Sequence, residues 1–384
     1  MSRACMWNIW KIYVAFDECA GACVCVVVCA CIPRFFVVPK SSALAQNMRD
    51  DDADYKAWKA ERRRLTAPFD IERWYPTIMA CTFPTSFVHL TPDEAKAMIA
   101  VYDNTCLHKR MPTHEERKCI VQVRQRISDA MHTNIHPDAK DSTETNHNSG
   151  YFVRLSTRSP KDGAMPTREA FEEEAARRQG QDEPDDLDAD VNCKMRAFFE
   201  VGFQSLRVHD ADGAMQLLLA SERVHRDLYD VLLAGSLEEM KVAIRRWEPL
   251  LRQEYEFRAF VKAGQLTAIS QYNPYCFFPE QVAAHDELIA TLEGFWSTRV
   301  ADLLAPLYED YVIDLALLAN GDCCVVELNP FEPQTGGGLF VWENPEDLAL
   351  LERGPLTLRL AKRPPPRMQT TLEVFVSELP RSTA

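Results

Sequence analysis

Apolar and polar positions alternate in some stretches of the chain and recur at helical spacing in others, with turn residues between them. Met48 to Arg64 is charged throughout and reads as a linker or a solvated helix. The folded part is expected to begin near Phe69, because Ile71 to Phe87 is rich in aromatic and β-favouring residues. Thr91-Pro92-Asp93-Glu94 forms a capping box with proline at the first helical position, predicting a helix to about Asn104; a second spans roughly Glu115 to Met131. After Gly150 the alternating run YFVRLSTRS reads as a strand, Cys193 to Leu206 as a helix and Met215 to Leu219 as a buried strand. Ser236-Leu237-Glu238-Glu239 predicts the cap of another helix that turns Met240, Ile244 and Trp247 inward.

Two hairpins follow. Glu254 to Val261 and Leu266 to Tyr272 turn at Gly264; if Gly264-Gln265 forms the turn, Arg258 pairs with Gln271. A long helix is expected from about Pro279 to Leu304. Tyr311 to Leu318 and Cys323 to Leu328 then flank Asn320-Gly321, a strong signal for a two-residue turn. That turn sets Asp314 directly opposite Glu327 and, by the period of two, Asn329 on the same face. Pro364 to Pro366 mark the far edge of the fold, and TLEVFV near the end is read as an edge strand.

The polar connections add little chemistry. Residues 132 to 149 hold His132, His136 and His147 at irregular spacing, which favours an unstructured connection over a metal site. The acidic insert Gly180 to Asp190 contains Pro184 and lacks the glycine and terminal glutamate of a calcium loop. A length of 384 residues allows two or three domain-sized units, and 46% hydrophobic residues suffice for a sizeable core. A net charge of −14 argues against wrapping a nucleic-acid backbone and points to a protein or small-molecule partner. Of 13 cysteines, six (Cys5, Cys19, Cys23, Cys25, Cys29, Cys31) crowd the start, and an odd, scattered set fits reduced thiols. The uncharged run Cys19 to Ile32 is 14 residues long, short of the roughly 18 to 20 of a membrane span. Asp17 and Glu18 stand where a signal peptide carries positive charge.

Candidate chemistry concentrates on the second hairpin. Two carboxylates about 5 Å apart at an effective dielectric near 20 repel by roughly 3 kcal/mol. A divalent cation removes that penalty, and two carboxylates, an amide oxygen and open positions for phosphate suit Mg²⁺. On this reading Asp314→Asn relieves the repulsion and leaves the fold intact or slightly steadier without metal. Cations for phosphate are sought on Arg154, Arg158 and Lys161; Arg154 and Arg158 are an even number apart and so share one side of a strand, with a solvated edge strand as the alternative. Arg258, between Phe257 and Phe260, wants an anion, and Glu256 is the competing salt-bridge partner. The chain has no GxxxxGK[ST] loop, no GxGxxG after a strand and no GxSxG elbow. Gly336-Gly337-Gly338 is either a loop near the site or plain turn chemistry.

Several blocks in order, WYP at Trp74 to Pro76, VRLSTRSPKD at Val153 to Asp162, LLLASERVHRDL at Leu217 to Leu228, EFRAFVKAGQLTAISQ at Glu256 to Gln271 and the run from Tyr311 to Trp342, resemble the cell division cycle protein 123 family. Its members are ATP-grasp proteins that act as assembly chaperones for eukaryotic translation initiation factor two. The resemblance covers roughly Phe69 to Leu348. It implies an α+β ATP-grasp fold, two lobes with antiparallel sheets flanked by helices and a nucleotide cleft between them. The implied organisation is an N-terminal extension and linker at 1–66, lobes at 67–235 and 236–350, and a tail at 351–384. ATP is then held by Arg154, Arg158, Lys161, Ser221, Arg226, Arg258 and Gln271, and Mg²⁺ by Asp314, Glu327 and Asn329. The implied partner is the gamma subunit of the initiation factor, in the cytoplasm, with the chain a monomer and neither nucleic acid nor membrane as partner. The family usually has lysine at the position of Arg154 and aspartate at that of Glu327, and neither the Cys-rich extension nor the missing acidic tail fits its pattern. A carboxylate–amine ligase of the same fold is the second reading, since it uses the same site residues and no protein nucleophile. A membrane-tethered adaptor using the N-terminal extension is a third.

Overall fold

A computed structural model describes residues 53–133, 150–180, 187–236, 240–365 and 368–381. The Cys-rich extension, His136 and His147, and most of the acidic insert lie outside the described residues. In chain order the elements are α1 (Ala53–Thr66), α2 (Ile71–Ile78), β1 (Thr85–His89), α3 (Pro92–Thr105), α4 (His114–Thr133), β2 (Tyr151–Leu155), α5 (Arg168–Gln179), α6 (Leu187–Gln204), α7 (Ala211–Ala220), α8 (Glu222–Leu233), β3 (Lys241–Arg246), β4 (Glu256–Lys262), β5 (Gln265–Gln271), α9 (Pro279–Ala283), α10 (His285–Phe295), α11 (Ala301–Leu304), β6 (Tyr311–Leu317), β7 (Cys323–Asn329), α12 (Pro345–Arg353), β8 (Thr357–Arg359) and α13 (Met368–Ser377). The class is α+β. A three-stranded antiparallel sheet has the order β1-β3-β2, and a five-stranded sheet has the order β7-β6-β4-β5-β8, antiparallel except that β8 runs parallel to β5.

Each sheet buries an apolar face against its own helices. Val242 and Ile244 of β3 join Val153 and Leu155 of β2 in one core with residues of α3, α4, α7 and α8. Phe257, Ala259, Ile313, Leu315 and Ile269 of the larger sheet pack on α2, α10 and α11 in a second. A third cluster unites Phe171 of α5, Phe198 of α6 and Phe375 of α13. The opposite pleat of β3, Ala243 and Arg245, faces the larger sheet: Ala243 belongs to its core, and Arg245 donates to the Val326 carbonyl of β7 at 2.7 Å. Arg154 pairs in register with Ala243 and so shares that face. The two sheets therefore meet across a surface that carries arginine rather than leucine.

The capping box at Thr91 is present with both of its hydrogen bonds, and the expected helix follows it. Several other elements differ from expectation. Met215 to Leu219 is helical within α7, because Asp210 caps Gly213 N at 2.8 Å and a short apolar run is compatible with either state. Residues 237–239 of the expected helix cap lie outside the described residues, and Lys241–Arg246 is strand β3 rather than a helix, buried on both faces from Val242 to Arg245. Trp74 and Tyr75, read as strand-favouring, lie on α2, and TLEVFV lies on helix α13, whose Leu372 and Phe375 point into the third cluster. The expected long helix is broken into α9, α10, a π turn at Trp296–Val300 and α11. Met48 to Arg64 resolves partly into α1, tied down by Lys59 to Asp230 at 2.6 Å and by the Arg63–Asp70 pair. Among the described residues no helix is long and apolar enough to cross a membrane, and the cysteines are free thiols.

Truncating Phe257, fully buried behind the strand that carries Arg258, leaves a cavity in the second core. Phe257→Ala is expected to cost about 3–5 kcal/mol in urea unfolding, whereas Met79→Ala, 58% exposed, stays within about 0.5 kcal/mol.

Candidate functional site

The hairpin of β6 and β7 does set Asp314 opposite Glu327, with Asn329 opposite Val312 on the same face. The route differs from the expected two-residue turn. Leu317 pairs with Cys323, and Ala319-Asn320-Gly321 forms a three-residue loop in which Gly321 takes φ +88° and donates its N–H to the Leu318 carbonyl at 2.9 Å. This places the pairs near the turn one residue out of the expected register. A bulge at Val326 then restores it. The freed backbone of the bulge is satisfied from outside the sheet, by Arg245 at the Val326 carbonyl and by Thr82 Oγ1 at the Val325 carbonyl, 2.6 Å.

Neither carboxylate stands bare. Arg258, directly across from Asp314 on β4, donates Nε to Oδ1 at 2.8 Å and Nη2 to Oδ2 at 2.7 Å, and its Nη1 donates to the Gly336 carbonyl at 2.8 Å. Arg154 Nη2 reaches from the smaller sheet to Glu327 Oε1 at 2.7 Å. Tyr272 sits between two cations: Lys161 Nζ donates to its hydroxyl at 3.0 Å, and the Arg258 guanidinium lies 5.0 Å from its ring centroid. The glycine run belongs to this site through close packing. A Cβ on Gly338, which has φ +64°, would come within 2.4 Å of Ser270 Oγ.

Burial and charge oppose one another at every group here. Burial raises Glu327, but Arg154, Lys161 and Arg258 outweigh it and hold the carboxyl well below its ordinary value. Burial also raises Glu256, and Asp314 adds to the effect against the pull of Lys161 and Arg258, so this carboxyl lies above its ordinary range. Lys161 stays charged because Tyr272 and Glu256 outweigh its desolvation. Arg245 is pushed down to about 9 by burial and then by Arg154, and remains charged at neutral pH. Five cations (Arg154, Arg158, Lys161, Arg245, Arg258) interact with five carboxylates (Asp227, Asp230, Glu256, Asp314, Glu327), so the charges of the cluster balance one another.

The expected site residues divide. Arg154, Lys161, Arg258, Asp314 and Glu327 come together. Arg158 is not on the strand, which ends at Leu155; it turns back to Asp227 at 3.1 Å, with its field still reaching Glu327. Gln271 pairs with Phe257, not Arg258, because the turn is Ala263-Gly264, both at positive φ, and a bulge lies between Phe260 and Val261. It therefore faces away from Arg258 and holds the Asn273 and Cys276 carbonyls and Ala361 N. Ser221 is the buried N-cap of α8, donating to Asp162 Oδ1 at 2.5 Å and accepting from Val224 N at 3.1 Å. Arg226 is exposed on α8 and, among the described residues, forms no ion pair. Tyr272 and Arg245 were not anticipated. Glu256 was weighed only as a partner for Arg258, although its period-two spacing from Arg258 already placed it on the site's face.

Two carboxylates and an amide oxygen on one face of adjacent strands are a donor set that suits a divalent cation, whereas Asn329 Nδ2, buried without a hydrogen-bond partner, calls for an acceptor such as a ligand oxygen. Among the described residues no group of three or more His, Cys, Asp or Glu is placed to hold a metal, so a cation here needs the Asn329 amide and ligand oxygens as well. An open cavity of about 580 Å³ lies elsewhere, lined by Arg63, Arg73, Ala234 and Ser236. The expected site residues lie in the charged cluster, not in that groove, where Arg63 is committed to Asp70.

The family model described as D123 matches residues 197–380. That stretch, a little under half of the chain, is similar to the D123 family. It includes β3 to β8 and with them Arg258, Asp314, Glu327 and Asn329, but not Arg154 or Lys161. A "Translation initiation factor eIF2 assembly protein" of Schizosaccharomyces pombe is 28% identical over 161 residues, 38% of this chain and 46% of that protein. One of the same name from Dictyostelium discoideum is 23% identical over 146 residues, 37% of each chain. The chain thus spans less than half the length of these curated relatives. Two solved structures, of Cdc123 from Schizosaccharomyces pombe and of its C-terminally truncated form, align over 77% of this chain and 96% of theirs, with TM-scores of 0.48 and 0.49 at 16% and 18% identity.

The pairing overturns one expectation: Asp314 is not relieved by neutralisation, because its loss leaves Arg258 buried without a counter-ion. Asp314→Ala is expected to cost about 3–5 kcal/mol, and Asp314→Leu with Arg258→Met to recover most of it, read by chemical unfolding. Glu256 gives a pH signature. With its folded pKa raised above the ordinary 4.5, the native state binds the extra proton, so this group lowers stability as pH rises from 4.5 through the raised value. Glu256→Gln should flatten the decline in melting temperature over that window; an unchanged slope places the titration elsewhere.

Proposed function

We propose that this chain is an ATP- and Mg²⁺-binding assembly chaperone for eukaryotic translation initiation factor two, acting on the gamma subunit in the cytoplasm and promoting its joining to the other two subunits. The single observation that carries the reading is the D123 match across residues 197–380, which takes in Asp314, Glu327 and Asn329. The names of the two curated relatives support the assembly role.

The geometry supports the nucleotide part. Arg154, Lys161 and Arg258 would take phosphate oxygens, and Asp314, Glu327 and Asn329 would hold the cation, which supplies charge neutralisation between phosphate and carboxylate. Arg154 and Lys161 come from β2 and the loop behind it, and the remaining groups from β4, β6 and β7, so one bound polyphosphate would be gripped from both sheets. In this reading nucleotide binding sets how the sheets sit against each other, and with them the surface offered to the partner.

The tagged full chain is expected to recover the gamma subunit of the initiation factor from a eukaryotic lysate, more of it with ATP and Mg²⁺ than with EDTA. Recovery of no gamma subunit under either condition contradicts the assembly role. In parallel, Lys161→Met should weaken ATP binding by at least about tenfold in calorimetry, the loss expected when a buried charge-assisted contact to phosphate is removed.

A further inference from the structure

Both carboxylates of the candidate metal site already hold a guanidinium. Arg258 grips Asp314 with two parallel N–H donors at 2.8 and 2.7 Å, and Arg154 holds Glu327 at 2.7 Å. Arg154, Arg258 and Asp314 are all buried. A divalent cation arriving alone would have to separate these pairs and leave two arginines without counter-ions in a low-dielectric setting. A phosphate chain changes that balance, because its charged oxygens can replace those of the carboxylates as acceptors for both guanidiniums.

We propose that Arg154 and Arg258 are exchange partners. In the resting protein they occupy Glu327 and Asp314; when a polyphosphate enters they pass to its oxygens, and the released carboxylates turn to the cation. The divalent ion and the phosphate chain then bind only together, and by linkage each raises the affinity of the other by the same factor. The ligand class is a di- or triphosphate ester able to chelate the cation. The inference rests on the nucleotide reading above and concerns how that site is kept closed to metal.

The test uses the full chain, with Mn²⁺ as a paramagnetic probe and ATP as the polyphosphate. Free Mn²⁺ is followed by electron paramagnetic resonance with and without ATP, and ATP affinity is measured by calorimetry with Mn²⁺ or EDTA. Without ATP, no saturable Mn²⁺ site is expected up to about a hundredfold above the Kd measured with ATP, the upper range of ordinary site-to-site coupling. Arg154→Met frees Glu327 and should reveal a Mn²⁺ site without ATP, reducing the coupling by at least about tenfold. Should that variant fail to fold, the wild-type comparison decides alone. Equal Mn²⁺ affinity with and without ATP, at a site lost in Glu327→Gln, overturns the exchange and leaves the nucleotide reading standing. ATP that binds under neither condition overturns both.

Discussion

Two sheets that meet through arginine must neutralise buried charge, and the rest of the structure follows from that constraint. Arg258 and Asp314 face each other across β4 and β6 with almost no access to solvent. A pair so buried gains little net stability, yet breaking it is costly, because the survivor cannot recover its hydration. Arg154 and Glu327 extend the same logic between the sheets, and Arg245 closes the seam by bonding the bulge in β7. An apolar seam would hold the sheets at least as well. Retaining charge there makes sense for a surface that binds an anion.

The backbone irregularities of the larger sheet serve this arrangement. The bulge at Val326 brings Glu327 opposite Asp314 and offers a carbonyl to Arg245. The bulge in β4 moves Gln271 to the far face and brings Ser270 opposite Arg258, leaving Tyr272 to cover the guanidinium. Gly336 and Gly338 complete the wall, one accepting from Arg258 and the other fitting against Ser270 where a side chain would not. Polar residues on β4 to β7 and the glycine loop thus form one unit built around Arg258.

Much of this was legible in the chain, for identifiable reasons. The capping box at Thr91 is local chemistry and it held. The Asp314–Glu327 pairing was anticipated, but through the wrong turn: a three-residue loop and a bulge, each off by one, cancel. The same reasoning without a cancelling bulge of the right size misplaced Gln271. Period-two and period-3.6 readings failed where runs were short, as in α7 and β3, because five or six apolar residues fit either element and tertiary contacts decide. The counter-ions of Asp314 and Glu327 were the larger omission. Repulsion between two acids is visible along a hairpin, whereas Arg154 arrives from a strand 173 residues away in sequence, and no local pattern announces such a contact.

What unites the fold, the D123 match and the charged seam is the claim that a polyphosphate and a divalent cation occupy the junction of the two sheets. The most direct measurement is a crystal structure of the full chain with a non-hydrolysable ATP analogue and Mg²⁺. The account predicts the phosphate chain between β2 and β7, contacted by Arg154, Lys161 and Arg258, with the cation on Asp314 and Glu327. Nucleotide bound at another surface, with the Arg258–Asp314 and Arg154–Glu327 pairs unchanged, would contradict it.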